Sequence, residues 1–207
     1  QINAYGLMEK CYQFMFTACN SSKFLEAEAI EENAENEDNT STVIISNMGK
    51  LIKIVSYLCK YSSDHCYNAI TDMNMLKIIH LLLKREHSRN KASMNFLHET
   101  LSLLSALIPD SRSYKSDTSE FAKNEKEKST IFEESGEDNP YRTMLVESIL
   151  PSMLKLYVSA FNQNIKFSFL QLIEEIVLML SGETLRTYLQ PYVFSRFVIA
   201  TMKSENY

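Results

Sequence analysis

The chain has 207 residues, of which 45% are hydrophobic and 23% charged, and its formal net charge at pH 7 is -5. This is the composition of a globular chain that can bury a sizeable core. The acidic balance excludes nucleic-acid capture as the main function, because phosphate backbones are bound by an excess of lysine and arginine. No apolar run approaches the roughly 18 to 20 residues of a membrane span. We therefore expect protein partners, and neither nucleic acid nor membrane.

The low glycine content bears on the fold class. Only four glycines occur in the whole chain. Tight hairpins and barrel corners use glycine repeatedly for positive φ, whereas helical hairpins need it only at occasional C-caps. The composition therefore favours an all-α fold.

The first half of the chain has apolar residues at three- and four-residue spacing, which predicts amphipathic helices separated by polar breaks. We expect helices over 2–19, from a cap at Ser41 or Thr42 to Tyr61, over 65–70, from a cap at Asp72 to the break at Arg85, and from about Ala92 to a stop before Pro109.

Two polar insertions interrupt this pattern, at about 26–40 and 110–139. Seven acidic residues and no basic one occur between Glu26 and Asp38. That segment lacks the alternating ligands, the central glycine and the closing glutamate of an EF-hand, so we interpret it as a solvated loop. The second insertion is rich in Ser, Lys, Glu and Asp, and we expect it to have no regular structure.

Helical spacing returns in the second half of the chain. Asn139-Pro140 suits an N-cap followed by the first helical position. We then expect a kink or a restart at Pro151, a turn at 162–164, a C-cap at Ser181-Gly182, and a last helix that crosses Pro191.

The predicted hairpins recur about 40 residues apart, as over 41–85 and 140–182. This period is typical of armadillo and HEAT arrays, in which stacked hairpins form a right-handed α-solenoid with a concave binding surface. An ordinary helical bundle would show the same amphipathic stripes and stays open as the alternative.

One string gives a more specific indication. Residues 150–162, LPSMLKLYVSAFN, followed by Ile165-Lys166 and 170–173, resemble the L-P-x-L-x-x-x-Y-x-S-a hairpin in the armadillo-like N-terminal region of the ubiquitin-fusion-degradation HECT ligases. The strings 50–59, 68–70 and 101–110 look like its preceding repeats. The sequence departs from the family where an arginine often follows the hairpin turn and Lys166 stands instead.

The resemblance implies that residues 1–207 are an armadillo-like segment of a HECT-type E3 ubiquitin ligase. Such a segment would recruit substrates that carry degrons or ubiquitin, and ubiquitin chains, for proteasomal degradation. The catalytic thiol and the contact with the E2 would belong to other parts of the parent enzyme. A start at Gln1-Ile2-Asn3 also suggests a piece of a longer chain. The alternative is a generic α-solenoid adaptor for transport or assembly, unrelated to ubiquitin.

The sequence offers little for catalysis, metal binding or a cofactor. The four cysteines, Cys11, Cys19, Cys59 and Cys66, include no C-x-x-C pair, and apolar neighbours predict buried thiols of a cytosolic or nuclear protein. A His65–Cys66 dyad is conceivable, but adjacent helical residues point in different directions. Glu174 and Glu175 do not form a facing carboxylate pair for general acid/base chemistry, because they too are adjacent on a helix and point in different directions. We therefore predict no catalytic, cofactor or metal site within this segment.

Candidate protein contacts are large aromatic residues and one basic cluster. Tyrosine is favoured at interfaces for its flat apolar body and polar tip. The aromatic candidates are Tyr157, Phe161, Phe167, Tyr188 and Tyr192, and the basic ones are Arg85 and Arg89, within a cluster over 85–91. A solvated turn is the alternative interpretation of that cluster.

Overall fold

The computed structural model describes residues 3–21, 39–85, 91–109, 126, 128–132 and 139–204. Helix is the only regular secondary structure within these ranges, which confirms the all-α prediction. The chain divides into two compact units, here called unit 1 (residues 1–107) and unit 2 (residues 108–207). The acidic segment from Glu26 to Asp38 lies outside the described residues.

In unit 1 the apolar stripes of the helices meet in one core. The most extensive contact there is between the second and the fifth described helices. The described helices are α1 (Ala4–Cys19), α2 (Asn39–Tyr61), α3 (Ser63–Thr71), α4 (Met75–Lys84) and α5 (Lys91–Leu107). In α4, the buried residues are Met75, Leu76, Ile78, Ile79, Leu82 and Leu83. This spacing places them on one broad face, as expected for a helix that packs against α1 and α5.

Two helix starts in unit 1 differ from the prediction. α2 begins at Asn39, so Ser41 and Thr42 lie inside the helix rather than at its cap. Asp72 follows the end of α3 and does not cap α4, which begins after Asn74. Asn74 has φ 47° in the left-handed region, where asparagine is tolerated better than most residues. This backbone reversal separates the two helices without a side-chain cap.

Unit 2 is also helical, and the helix that begins at Leu150 packs against two helices that follow it in the chain. The described elements are α6 (Pro140–Met144), a π-helical segment (Leu145–Ile149), α7 (Leu150–Ser159), α8 (Gln163–Met179), α9 (Gly182–Tyr188) and α10 (Pro191–Ser204). α7 contacts α8 and α10. Asn162 caps α8 by accepting hydrogen bonds from the Asn164 and Ile165 amides, at the predicted turn.

Asn139 is buried and joins two parts of unit 2. Its Oδ1 accepts hydrogen bonds from the amides of Tyr141 and Arg142, which confirms the predicted N-cap. Its Nδ2 donates to the carbonyl oxygen of Ile131 at 2.7 Å. Residues 128–132 are helical, and Ile131 and Phe132 are buried. The prediction of no regular structure over 110–139 is therefore wrong for this turn, because two apolar side chains anchor it in a core.

Pro151 explains the π-helical segment. Proline has no amide hydrogen, and its ring clashes with the carbonyl four residues earlier in a regular α-helix. The five residues before α7 adopt the wider π-helix, and the Leu150 amide donates to the Leu145 carbonyl, five residues back. The chain therefore passes Pro151 without a break, and α7 continues from the π-helical segment.

Ser181 and Gly182 begin a helix instead of ending one. The Ser181 hydroxyl accepts a hydrogen bond from the Thr184 amide, and Gly182 is the first residue of α9. The predicted glycine C-cap is therefore wrong, since α8 ends at Met179 and its C-cap is Leu180, in an extended conformation. The prediction that the last helix crosses Pro191 is also wrong, because Pro191 starts α10.

Candidate functional site

A groove lies between α7 and α10 in unit 2, here called the α7–α10 groove. Its volume is about 600 Å³. α7 supplies Pro151, Ser152, Leu154, Lys155, Val158 and Ser159 to its lining, and the start of α10 supplies Gln190, Tyr192, Val193 and Arg196. Since the two helices pack directly on each other, the groove is a shallow channel along their line of contact.

The lining combines apolar surface with positive charge. Leu154 is buried, Val158 and Val193 are half-buried, and Lys155 and Arg196 are exposed. No carboxylate lies among the described residues that line the groove. An apolar channel with cations and no anions favours a ligand that has an apolar side chain and a negative charge close together.

Tyr192 and Arg196 form a pair one helical turn apart on α10. The Arg196 Nη1 donates to the Tyr192 hydroxyl at 3.4 Å, and the Arg196 Cζ lies 5.5 Å from the centre of the Tyr192 ring. Tyr192 is 68% exposed. The ring and the guanidinium are therefore presented together to solvent, which is the arrangement of side chains that dominates many protein interfaces.

Tyr157 of α7 does not line the groove and is a core residue, with 1% exposure. Its ring meets that of Phe197 on α10 edge-to-face, with ring centres 5.0 Å apart. The Lys166 Nζ lies 5.5 Å from the Tyr157 ring centre. The hypothesis that Tyr157 contacts a partner directly is therefore corrected. Tyr157 instead fixes α10 against α7 and so maintains the groove.

Two further aromatic candidates, Phe161 and Phe167, do not line the groove. They are 65% and 61% exposed, beyond the end of α7 and on α8. Tyr188 is the last residue of α9, and its side chain lies outside the described residues. Of the four predicted aromatic contacts whose side chains are described, Tyr192 alone lines the groove.

Arg85 of the basic cluster is buried, whereas a residue that binds a partner would be exposed. Arg85 is 5% exposed, and its Cζ lies 5.8 Å from the centre of the Phe96 ring. A guanidinium packed on an aromatic face contributes to the core and is not available to an acidic partner. Arg89 lies outside the described residues.

The cysteines of unit 1 are all buried free thiols. Burial raises the pKa of the Cys19 thiol to about 12, although the nearby Arg85 charge lowers it in part. The Cys66 Sγ contacts the carbonyl oxygens of Ala106 and Leu107 at 3.8 Å, whereas the His65 Nδ1 lies 2.7 Å from the Ser62 hydroxyl. The side chains of His65 and Cys66 therefore meet different partners, and the geometry gives no support to a dyad.

The described residues offer neither a metal site nor a membrane-spanning helix. No group of three or more His, Cys, Asp or Glu side chains there is placed to hold a metal ion. No helix in the described ranges has the length and apolar character needed to cross a membrane.

No family model, curated protein or solved structure matches this chain. The resemblance of 150–162 to the HECT ligase hairpin therefore stays a prediction.

Sequence reasoning missed the polar and charged residues of the groove, above all Lys155 and Arg196. One signal was present: Arg196 follows Tyr192 by four residues, which places the two on one helical face. Lys155 also stands inside the string that carried the resemblance. Their convergence depends on the contact between α7 and α10, which no local pattern encodes.

Proposed function

We propose that the chain is a recognition scaffold of a HECT-type E3 ubiquitin ligase, built of armadillo-like stacked hairpins, and that the α7–α10 groove holds a segment of a protein substrate. The observation that carries the proposal is the position of the resemblance. Six residues of the family-like string supply one wall of the groove: Pro151, Ser152, Leu154, Lys155, Val158 and Ser159. A segment used for recognition is expected to place its characteristic residues where a partner can reach them.

The chemistry of the groove indicates the kind of substrate segment. Leu154, Val158 and Val193 offer an apolar floor, and Lys155 and Arg196 offer positive charge beside it. A peptide with an apolar side chain next to Asp or Glu fits both features. The apolar contact would supply most of the affinity, while the charges would select the peptide and steer it to the groove.

On this proposal, covalent chemistry is left to the rest of the parent chain. A catalytic thiol in a downstream HECT domain would accept ubiquitin from an E2, while the present segment holds the substrate. Ubiquitin on the substrate, or a ubiquitin chain, is the second partner to test. The conjugates would pass to the proteasome in the cytoplasm or the nucleus.

The binding proposal is tested by capture from two lysates. The chain is immobilised and exposed to untreated and to deubiquitinated cell lysate, and the bound proteins are identified by mass spectrometry. We expect ubiquitin conjugates and proteasome subunits to be enriched from the untreated lysate. Arg196→Glu should abolish this enrichment, because it reverses a charge that lines the groove.

Lys203→Glu is the matched control, since Lys203 is exposed on the same helix and is absent from the groove lining. It should leave the capture unchanged. Capture of transport or assembly factors regardless of ubiquitin would contradict the ligase proposal and favour the generic adaptor. Sequencing the full-length transcript gives an independent check, because a parent chain without a HECT domain would exclude the proposal.

A further inference from the structure

A second surface, on unit 1, carries a different combination of exposed residues. Five exposed residues of α2 form this surface: Lys50, Lys53, Tyr57, Lys60 and Tyr61. At 100° per residue they fall within about 100° of arc on one side of the helix, over a length of about 17 Å. We call these five residues the lysine–tyrosine face.

The charge of this face is opposite to that of the whole chain. α2 contains three lysines and no acidic residue, whereas the chain has a net charge of -5. The carboxylate seen to approach the face from another helix is Glu99 of α5, whose Oε1 lies 3.9 Å from the Lys53 Nζ. The Lys53 side chain is still 70% exposed. A long surface ion pair of this kind is weak and can be exchanged for a better anionic partner.

The two tyrosines give the face a fixed aromatic surface. Tyr57 and Tyr61 are each 63% exposed, and their ring centres lie 4.6 Å apart. A hydrogen bond with Tyr61 raises the pKa of Tyr57 above its ordinary value. Rings that already hold each other lose less conformational freedom when a partner binds than two independent side chains would.

We propose that the lysine–tyrosine face binds an acidic peptide segment of a partner protein, in which Asp or Glu side chains alternate with apolar ones. The lysines beside the two rings match carboxylates, and the rings match the apolar side chains. Three cations are too few for the phosphate contacts that usually hold a nucleic acid, and the net negative charge of the chain opposes long polyanions.

The test uses the full chain and a fluorescein-labelled peptide rich in glutamate and leucine, followed by fluorescence anisotropy. We expect saturable binding that weakens as salt is added, because exposed charges are screened. Lys50→Glu with Lys60→Glu should weaken binding by about tenfold or more. Replacing both tyrosines by alanine should also weaken binding but should leave its salt dependence in place, which separates the aromatic role from the charge.

The control is Lys77→Glu with Lys84→Glu on α4, which changes the net charge equally and alters exposed lysines on another helix. It should keep the affinity within about twofold. Circular dichroism of each variant checks that the helices remain folded. Equal weakening in the control, equal binding of a peptide with glutamine in place of glutamate, or displacement of the peptide by a single-stranded oligonucleotide at lower concentration would each overturn the proposal. All of these substitutions lie in unit 1, whereas the ligase proposal is tested at Arg196 in unit 2, so the failure of this proposal leaves the ligase proposal intact.

Discussion

α4 of unit 1 and α10 of unit 2 are both rich in apolar residues, yet they use them in opposite ways. Six of the ten residues of α4 are buried. None of the described side chains of α10 is buried, and Tyr192, Phe194, Ile199 and Met202 are 44% to 68% exposed. α4 therefore contributes to the stability of its unit, whereas α10 presents apolar surface. An amphipathic pattern shows that a helix has an apolar face, but it does not show whether that face is covered.

The largest effect on this contrast between α4 and α10 is expected at Tyr157, whose ring packs against α10. Tyr157→Ala removes a ring that is 1% exposed and packs on Phe197. We expect it to lower the free energy of unfolding of unit 2 by about 4 kcal/mol, as for other buried aromatic residues. Hydrogen exchange should also show lost protection in α10. Tyr192→Ala is the matched control, because it removes an exposed tyrosine and should change stability by no more than about 0.5 kcal/mol.

A pair of aliphatic substitutions compares α4 and α10 themselves. Leu76→Ala removes a fully buried side chain from α4 and should cost about 3 kcal/mol in urea unfolding. Ile199→Ala removes a side chain that is 51% exposed and should cost less than about 1 kcal/mol. Equal costs would mean that α10 is covered in solution and that its apolar residues belong to a core.

Asn139 tests whether the helical turn over 128–132 belongs to the core of unit 2. Asn139→Ala removes the cap of α6 and also leaves the Ile131 carbonyl without its hydrogen bond. We expect a loss of about 2 kcal/mol, larger than the roughly 1 kcal/mol typical of a cap alone. Asn139→Asp keeps an acceptor for the cap but loses the donor to Ile131. If Asn139→Asp left the free energy of unfolding unchanged, the hydrogen bond to Ile131 would contribute nothing to stability.

The stability of the two units should depend differently on pH, because all four cysteines lie in unit 1. Burial raises the pKa of Cys19 from 9.0 to about 12 in the folded chain. The unfolded thiol ionises first as pH rises, so Cys19 stabilises unit 1 fully below pH 9.0 and loses this contribution between 9.0 and about 12. At about pH 10 the loss amounts to about 1 kcal/mol. Cys19→Ala should flatten the decline of unit 1 stability above pH 9.0, and an unchanged slope would contradict the assignment.

Most helices could be predicted from the sequence, because each has apolar residues at helical spacing and a polar break beside it. The two errors at helix caps in unit 1 both concern residues that are good caps by type. Ser41 and Thr42 lie inside α2, which begins at Asn39, and α4 begins after Asn74, whose backbone is left-handed, rather than after Asp72. The candidate site was predicted less well. Tyr157 and Tyr192 are the same residue type on neighbouring helices, and the packing of α7 on α10 buries one and leaves the other exposed.

The smallest expected effect concerns the boundary between α8 and α9, where prediction and structure require opposite signs. If Gly182 were a left-handed C-cap, as the sequence pattern predicts, Gly182→Ala would destabilise unit 2 by about 1 kcal/mol. In the structure Gly182 is the first residue of α9, and a Cβ there would meet no atom within 4 Å. Alanine should therefore stabilise unit 2 by about 0.5 kcal/mol, since it has the higher helix propensity and restricts the unfolded chain.

Ser181→Ala at the neighbouring position should do the reverse and cost about 1 kcal/mol, because the Thr184 amide loses its acceptor. Thermal unfolding of the two variants, measured side by side, decides whether this residue pair opens a helix or closes one.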